Sequence, residues 1–497
     1  MDSSTSDKHF ALVCRQWFSV YVRIRWHTIK DPAHLLSATC NFSLNNDSIR
    51  RFREIYAHRI HGINFDEHLV DPFALEWVLY ALSTIPHALS LFLPNVTSLR
   101  LVNLTQASSS QRLSALVNHQ ITDFRILDDL QDTRNVYRSA EFEDSLEQLL
   151  VSIPQSMPQL RRLEITVPLP RRVTDLYATI TQSLYDLETL RLPCSAYLPA
   201  FDLFIASLNI RSLAFGAPAE VVRDARHFTS SEYIFVPVTL LPDSFHGLTS
   251  VELQCCTHVV ATQFFRSMSN KSLRSIVLSI PAGTLAPNPP SPAEMKQLHF
   301  AISESYLTLE EIVLEFAVDR NGEEINVLSK LRPELEDMIA TSDLLPFSLC
   351  SRLKVFSYHH IYPVSIDCSE LTSLTACWPN LAELALCPTP FLPYDQLPTG
   401  IKRLDWEALH IMSRRRQFLS SLELAIVHPP DHWYSPALLR AIQRSMGRFQ
   451  NLLCFNPGPY CHLPEQFEQR GPNSIFRLVT SLLDSDLYSS SDAGGMV

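Results

Sequence analysis

Hydrophobic residues recur along this chain in one six-residue phrase, L-x-x-L-x-L with conservative exchanges. Copies begin at Leu160, Leu187, Ile210, Leu248, Leu273, Leu309, Leu353, Leu381, Ile401 and Leu419, with a weaker one at Val96. In Leu160-Arg-Arg-Leu163-Glu-Ile165 the second half alternates polar with apolar, the period of a half-buried strand. Each phrase is short and bounded by Pro, Ser or Asn, as a strand should be. Helical spacing predicts helices over Pro72–Ile85, Ser145–Ile153, Thr174–Leu184, Tyr197–Leu208, Ala261–Met268 and Pro436–Met446. A unit of strand, connection, helix and connection that repeats must stack on its neighbours, because one copy cannot bury its own apolar face. The pattern predicts an α/β, leucine-rich-repeat-like solenoid, with parallel strands on the concave face and helices outside.

The repeats span 62–480 in this reading, at an irregular period of about 18 to about 44 residues between successive strong copies. Insertions are expected near 281–296, where five prolines fall between Pro281 and Pro292, and near 319–340, which is acidic and contains Asn321-Gly322. Val327–Ile339 has helical character despite Pro333. Ahead of the array, 1–61 reads as a helical segment. Phe10, Val13, Trp17, Val20 and Ile24 mark one helix face from Phe10 to about Ile29, and a second helix is predicted over Asp47–His58. Residues 485–497, rich in Ser, Gly and Asp, predict a disordered tail.

Composition narrows the function. The chain has 497 residues, 46% hydrophobic and 19% charged, which suits a buried core and not a disordered polymer. A net charge of −11 argues against nucleic-acid binding by surface charge. The charge is uneven: residues 1–61 hold nine Lys/Arg and five Asp/Glu, a net +4, which leaves −15 for 62–497. A basic head on an acidic body predicts an acidic partner for the head. The 11 cysteines are odd in number and irregularly spaced, as in reduced thiols, and Met1–His9 lacks an apolar leader. A cytoplasmic or nuclear chain is expected. Trp77–Leu99 carries no Lys, Arg, Asp or Glu, but Pro86 and Pro94 interrupt it, so a buried helix is preferred over a membrane span.

Catalytic and metal chemistry find little support. Cys255-Cys256-Thr-His258 lacks the partner pair that a zinc site needs, and Cys350, His359, His360 and Cys368 match no zinc spacing. With only 11 glycines there is no G-x-x-x-x-G-K and no G-x-G-x-x-G. G-x-S-x-G is absent as well. The expectation is a binding protein with no catalytic residue, no metal and no cofactor.

The phrase Phe10-Ala-Leu-Val13-Cys14-Arg15-Gln-Trp17, followed by Trp26-His27-Thr28-Ile29, resembles the second half of an F-box. Fungal F-box proteins with degenerate leucine-rich repeats share this plan. The family pattern opens with a Leu-Pro-x-Glu-like phrase and a first helix, which Met1–His9 do not match. The resemblance implies docking on a Skp-type adaptor of a cullin–RING ubiquitin ligase through Val13, Cys14, Arg15 and Trp17. It also implies that the repeats hold a protein substrate while other subunits transfer ubiquitin. A repeat scaffold with no ligase link is the alternative. In either case the partners are proteins, without nucleic acid or membrane, and the chain is a monomer within its complex.

Alternation places the partner face. If the Leu and Ile positions point inward, the residues between them line the concave side. These are Arg162, Glu164, Thr189, Arg191, Glu252 and Glu311, then Glu315, Glu383, Arg403, Asp405 and Glu423. The middle strands are then acidic, with arginine nearer both ends.

Overall fold

The computed structural model describes residues 27–31, 54, 56–66, 70–83, 92–102, 116–127, 140–167, 180, 183–192, 210–216, 245–254, 257–268, 272–282, 290–318, 333–388, 390, 396–416, 419–427 and 436–456. The chain divides into two units, Met1–His227 and Phe228–Val497.

In the first unit seven strands follow one another: β1 (Thr28–Ile29), β2 (Gly62–Asp66), β3 (Ser98–Val102), β4 (Asp123–Leu127), β5 (Arg162–Ile165), β6 (Thr189–Leu192) and β7 (Ser212–Phe215). Each pairs in parallel with the next. The second unit repeats the scheme with β8 (Ser250–Leu253), β9 (Ser275–Ala282), β10 (Glu311–Val318), β11 (Val355–His359), β12 (Glu383–Leu386), β13 (Ser421–Leu424) and β14 (Cys454–Asn456). Helices lie between them: α1 (Pro72–Ser83), α2 (Ala140–Ser156), α3 (His258–Ser267), α4 (Pro292–Ser305), α5 (Thr341–Leu344), α6 (Cys368–Ala376), α7 (Trp406–Arg415) and α8 (Pro436–Met446). The chain is an α/β solenoid of the leucine-rich-repeat kind. Among the described residues no helix is long and apolar enough to cross a membrane, and α1 is 12 residues long.

The fourth and sixth phrase positions build the core. In-register pairing stacks Ile63, Leu99, Phe124, Leu163, Leu190 and Leu213 in one buried ladder, and Val251, Ile276, Ile312, Phe356, Leu384 and Leu422 in another. Backbone bonds repeat with equal regularity. The first phrase residue donates its N–H to the carbonyl three residues earlier: Leu160 to Met157, Leu309 to Tyr306 and Leu381 to Trp378, each at 3.2 Å. The carbonyl of the second residue then accepts two N–H groups from the next strand. Thr122 O takes Arg161 N and Arg162 N, and Glu310 O takes Lys354 N and Val355 N. The phrase therefore begins one turn earlier than its leucines, at a buried residue such as Met157, Tyr306 or Trp378. Two of these carry a polar handle that reaches back to the preceding repeat. Tyr306 Oη donates to Phe265 O at 3.1 Å, and Trp378 Nε1 donates to Phe347 O at 2.9 Å.

The structure departs from the sequence reading in several places. Thr28–Ile29 is a strand paired with Gly62–Ile63, so the sheet starts inside the segment read as a helical head ending at 61. Of the helix expected over Asp47–His58, Glu54 is helical and Ala57–Arg59 is a 3₁₀ turn, while 47–53 and 55 lie outside the described residues. Near 281–296 the expected insertion is narrower. Pro281 lies in β9, and Ser291 caps α4 with a reciprocal Ser291–Glu294 box that places Pro292 in the first turn, where a missing N–H costs nothing. Near 319–340, Leu335–Asp337 is a single 3₁₀ turn. The helices expected over Thr174–Leu184 and Tyr197–Leu208 lie mostly or wholly outside the described residues, as do the F-box-like phrase at 10–26 and the tail.

Candidate functional site

The third, fifth and seventh phrase positions face away from the buried ladders. In the first unit the fifth-position row runs Asn64, Arg100, Arg125, Glu164, Arg191 and Ala214. Glu164 is only 8% exposed, because the arginine stems on either side cover it. Its carboxylate lies 3.9 Å from Arg125 Nε and 3.8 Å from Arg162 Nε. Arg125 also grips Asp123 with two bonds, at 2.9 and 2.8 Å. Arg191 Nη1 donates to Gly216 O at 3.2 Å. This unit thus neutralises much of its own strand-face charge.

The second unit differs. Its third-position row contains Glu311, Val355 and Glu383 side by side in register. Its fifth-position row runs Glu252, Val277, Val313, Ser357, Ala385 and Glu423. Glu315 and His359 pair at the seventh position. Glu311 accepts from Ser275 Oγ at 2.7 Å, Glu252 from Gln254 Nε2 at 2.8 Å and Glu423 from Asn456 Nδ2 at 3.4 Å. Glu315 and Glu383 are exposed. Among the described residues no Lys or Arg occupies an outward strand position in this unit. Its cations sit one position earlier, at the strand-start edge. There Lys354 Nζ meets Glu310 at 2.5 Å and Arg274 Nη1 meets it at 3.6 Å. Lys354 is the chief reason that the Glu310 carboxyl titrates below its usual range.

Arg403 and Asp405 do not belong to this face. Ile401-Lys-Arg-Leu404-Asp-Trp406 fits the phrase, yet β12 pairs directly with β13 and leaves it no place in the sheet. Only Leu404 makes a parallel bridge, to Ile426. Asp405 is the N-cap of α7 and accepts from Glu407 N at 2.7 Å; capping wins because Asp precedes a strong helix-forming run. Arg403 is exposed just before the bridge. The arginine expected at the far end of the strand face is therefore absent from it. Val13, Cys14, Arg15 and Trp17 lie outside the described residues.

The grouping of Cys350, His359, His360 and Cys368 resolves into separate local contacts, while Cys255 and Cys256 lie outside the described residues. His359 Nε2 bonds Ser357 Oγ at 2.9 Å, and His360 Nδ1 accepts from Tyr362 N at 3.1 Å. Cys350 is buried in the core, where desolvation raises its thiol to about 12. Cys368, Asp405 and Glu407 place ligand atoms within 4.8 Å of one another. Asp405 Oδ1, however, is already engaged as the cap and accepts from Cys368 Sγ at 3.4 Å. Burial raises the Cys368 thiol to about 11.

Sequence reasoning missed Arg100 and Arg125, although Ile121-Thr-Asp-Phe124-Arg-Ile126 fits the phrase once Phe is admitted at its fourth position. It also missed the outward Val277, Val313 and Val355, which alternation alone marks only as apolar residues at polar positions.

No protein-family model matches the chain, and no curated protein matches it. Among solved structures it is similar to the crystal structure of the Rad7 and Elc1 complex in yeast. That likeness has 13% sequence identity and a TM-score of 0.36, over 81% of this chain and 93% of that one.

Proposed function

We propose that this chain is a protein-binding subunit whose strand face holds a partner, and that it serves as the substrate-recognition subunit of an SCF-type cullin–RING ubiquitin ligase. The observation that carries the binding reading is the second unit's outward rows. Parallel pairing fixes half-exposed valines and carboxylates in register there, and solenoids use such extended surfaces for macromolecular contact. The ligase reading is supported by the resemblance of residues 10–29 to the second half of an F-box, ahead of a repeat array. Catalysis of ubiquitin transfer is assigned to other subunits, in the cytoplasm or nucleus.

The test is co-elution of the purified chain with a purified Skp-type adaptor on a sizing column. A stable complex, weakened by Trp17→Ala, is the expected result. The absence of a complex overturns the ligase reading. It favours the second reading, a repeat scaffold with no ligase link.

A further inference from the structure

Two features of the second unit's strand face point to one kind of occupant. The first is its floor. Val277, Val313 and Val355 are half-buried on the outward side, where a merely solvated strand carries polar residues. The second is its rim. Glu311, Glu315 and Glu383 stand around these valines at fixed register, with no cation on the outward rows of the described residues. The Glu315 and Glu383 carboxylates make no hydrogen bond or ion pair among the described residues, and the Glu311 carboxylate is met by a neutral hydroxyl. A small apolar floor inside a carboxylate rim complements a side chain with an aliphatic stem and a cationic head, which is the form of Lys and Arg.

Spacing sharpens the fit. Glu311 and Glu383 share a register position on β10 and β12, with β11 between them. Two interstrand steps of about 4.8 Å separate them by about 10 Å. An extended polyproline-type peptide presents every third residue on one side at a rise of about 3.1 Å per residue, a repeat of about 9 Å.

We infer that this face binds an extended, Lys/Arg-rich peptide segment of a partner protein. Cationic residues three apart reach Glu311 and Glu383 while their stems lie over Val313 and Val355. The inference rests on the reading of the array as a protein-binding face and names the chemistry of its substrate.

The test uses the full chain and a fluorescein-labelled nonapeptide of three Arg-Pro-Ser repeats, read by fluorescence anisotropy, with the Gln-Pro-Ser peptide as control. Salt-sensitive binding of the arginine peptide alone is expected. Glu311→Gln with Glu383→Gln should weaken it about tenfold, the effect of two partly screened ion pairs. Glu304→Gln with Glu336→Gln removes the same charge from exposed sites elsewhere and should change binding less than about twofold. Absence of binding, or equal weakening by both pairs, overturns the inference. Should the face pair fail to fold by circular dichroism, Ser357→Lys adds a cation to the half-buried centre of the face; binding should then be lost, and retention overturns the inference. Co-elution with the Skp-type adaptor separates the two proposals. A chain that binds adaptor but not peptide refutes this face alone, and one that binds peptide but not adaptor refutes the ligase alone.

Discussion

His299 lies on α4, fully buried against Phe347 and Tyr358. Its Nδ1 bonds Asp343 O at 2.7 Å, so the neutral ring donates there and leaves Nε2 as a buried acceptor without a partner among the described residues. His360 uses Nδ1 to accept from Tyr362 N, which places the proton on Nε2, again without a partner among the described residues. Burial is the main cause in both, lowering His299 to about 4 and His360 to about 3. Both values lie below the unfolded imidazole's 6.5. The unfolded chain therefore gains protons first as pH falls. Stability is complete above about pH 6.5 and drains toward the folded values, by about 1.4 kcal/mol per pH unit for each histidine that only the unfolded state protonates. Urea midpoints measured from pH 7.5 to 5, above the range where carboxylates titrate, should hold to about pH 6.5 and then drop. A flat profile across that window would refute the assignment of both rings as buried and neutral.

At the scale of the element, the repeat is held by its joint as much as by its leucines. Trp378 closes the turn after α6 and ties its indole N–H to Phe347 O in the preceding 3₁₀ turn (Leu345–Leu349). Trp378→Phe keeps most of the ring but strands that carbonyl, at a cost of about 1–2 kcal/mol in chemical unfolding. Trp378→Tyr should not rescue it, since its hydroxyl points along a different axis; full recovery would show that ring volume alone matters. The same joint explains what could be read in advance. Strand positions were legible because period-2 alternation after a leading leucine is a local signal. β2 follows it too, in Ile60-His-Gly-Ile63-Asn-Phe65, and was missed only because Gly weakens strand propensity and Phe replaces Leu. The copy at Ile401 misled because Asp405 both fits an outward strand position and caps a helix, and only the sheet's pairing decides between them. The acidic rim was legible from alternation. The valine floor was not, since it exists only when three strands from distant parts of the chain come into register.

Across the whole molecule, each strand contacts chiefly the strands on either side of it. Leu384 of β12 is 1% exposed, with Phe356 and Leu422 in register beside it. Leu384→Ala should cost about 2–5 kcal/mol. In a nearest-neighbour array the loss spreads outward from the site. Hydrogen exchange should therefore accelerate most in β11, β12 and β13 and least in β8, and uniform acceleration over β8 to β13 would contradict that picture. The paired N–H groups that converge on each second-position carbonyl carry a further consequence. Thr122 O receives Arg161 and Arg162 across a gap of 39 residues, whereas Glu188 O receives Arg211 and Ser212 across 23, with the same bond pattern. The splice between successive strands is blind to how much chain is looped out between them. Such a scaffold can gain or shed whole loops over its history while the spacing of its strand face stays constant, like a ruler whose graduations hold while the material between them is recut.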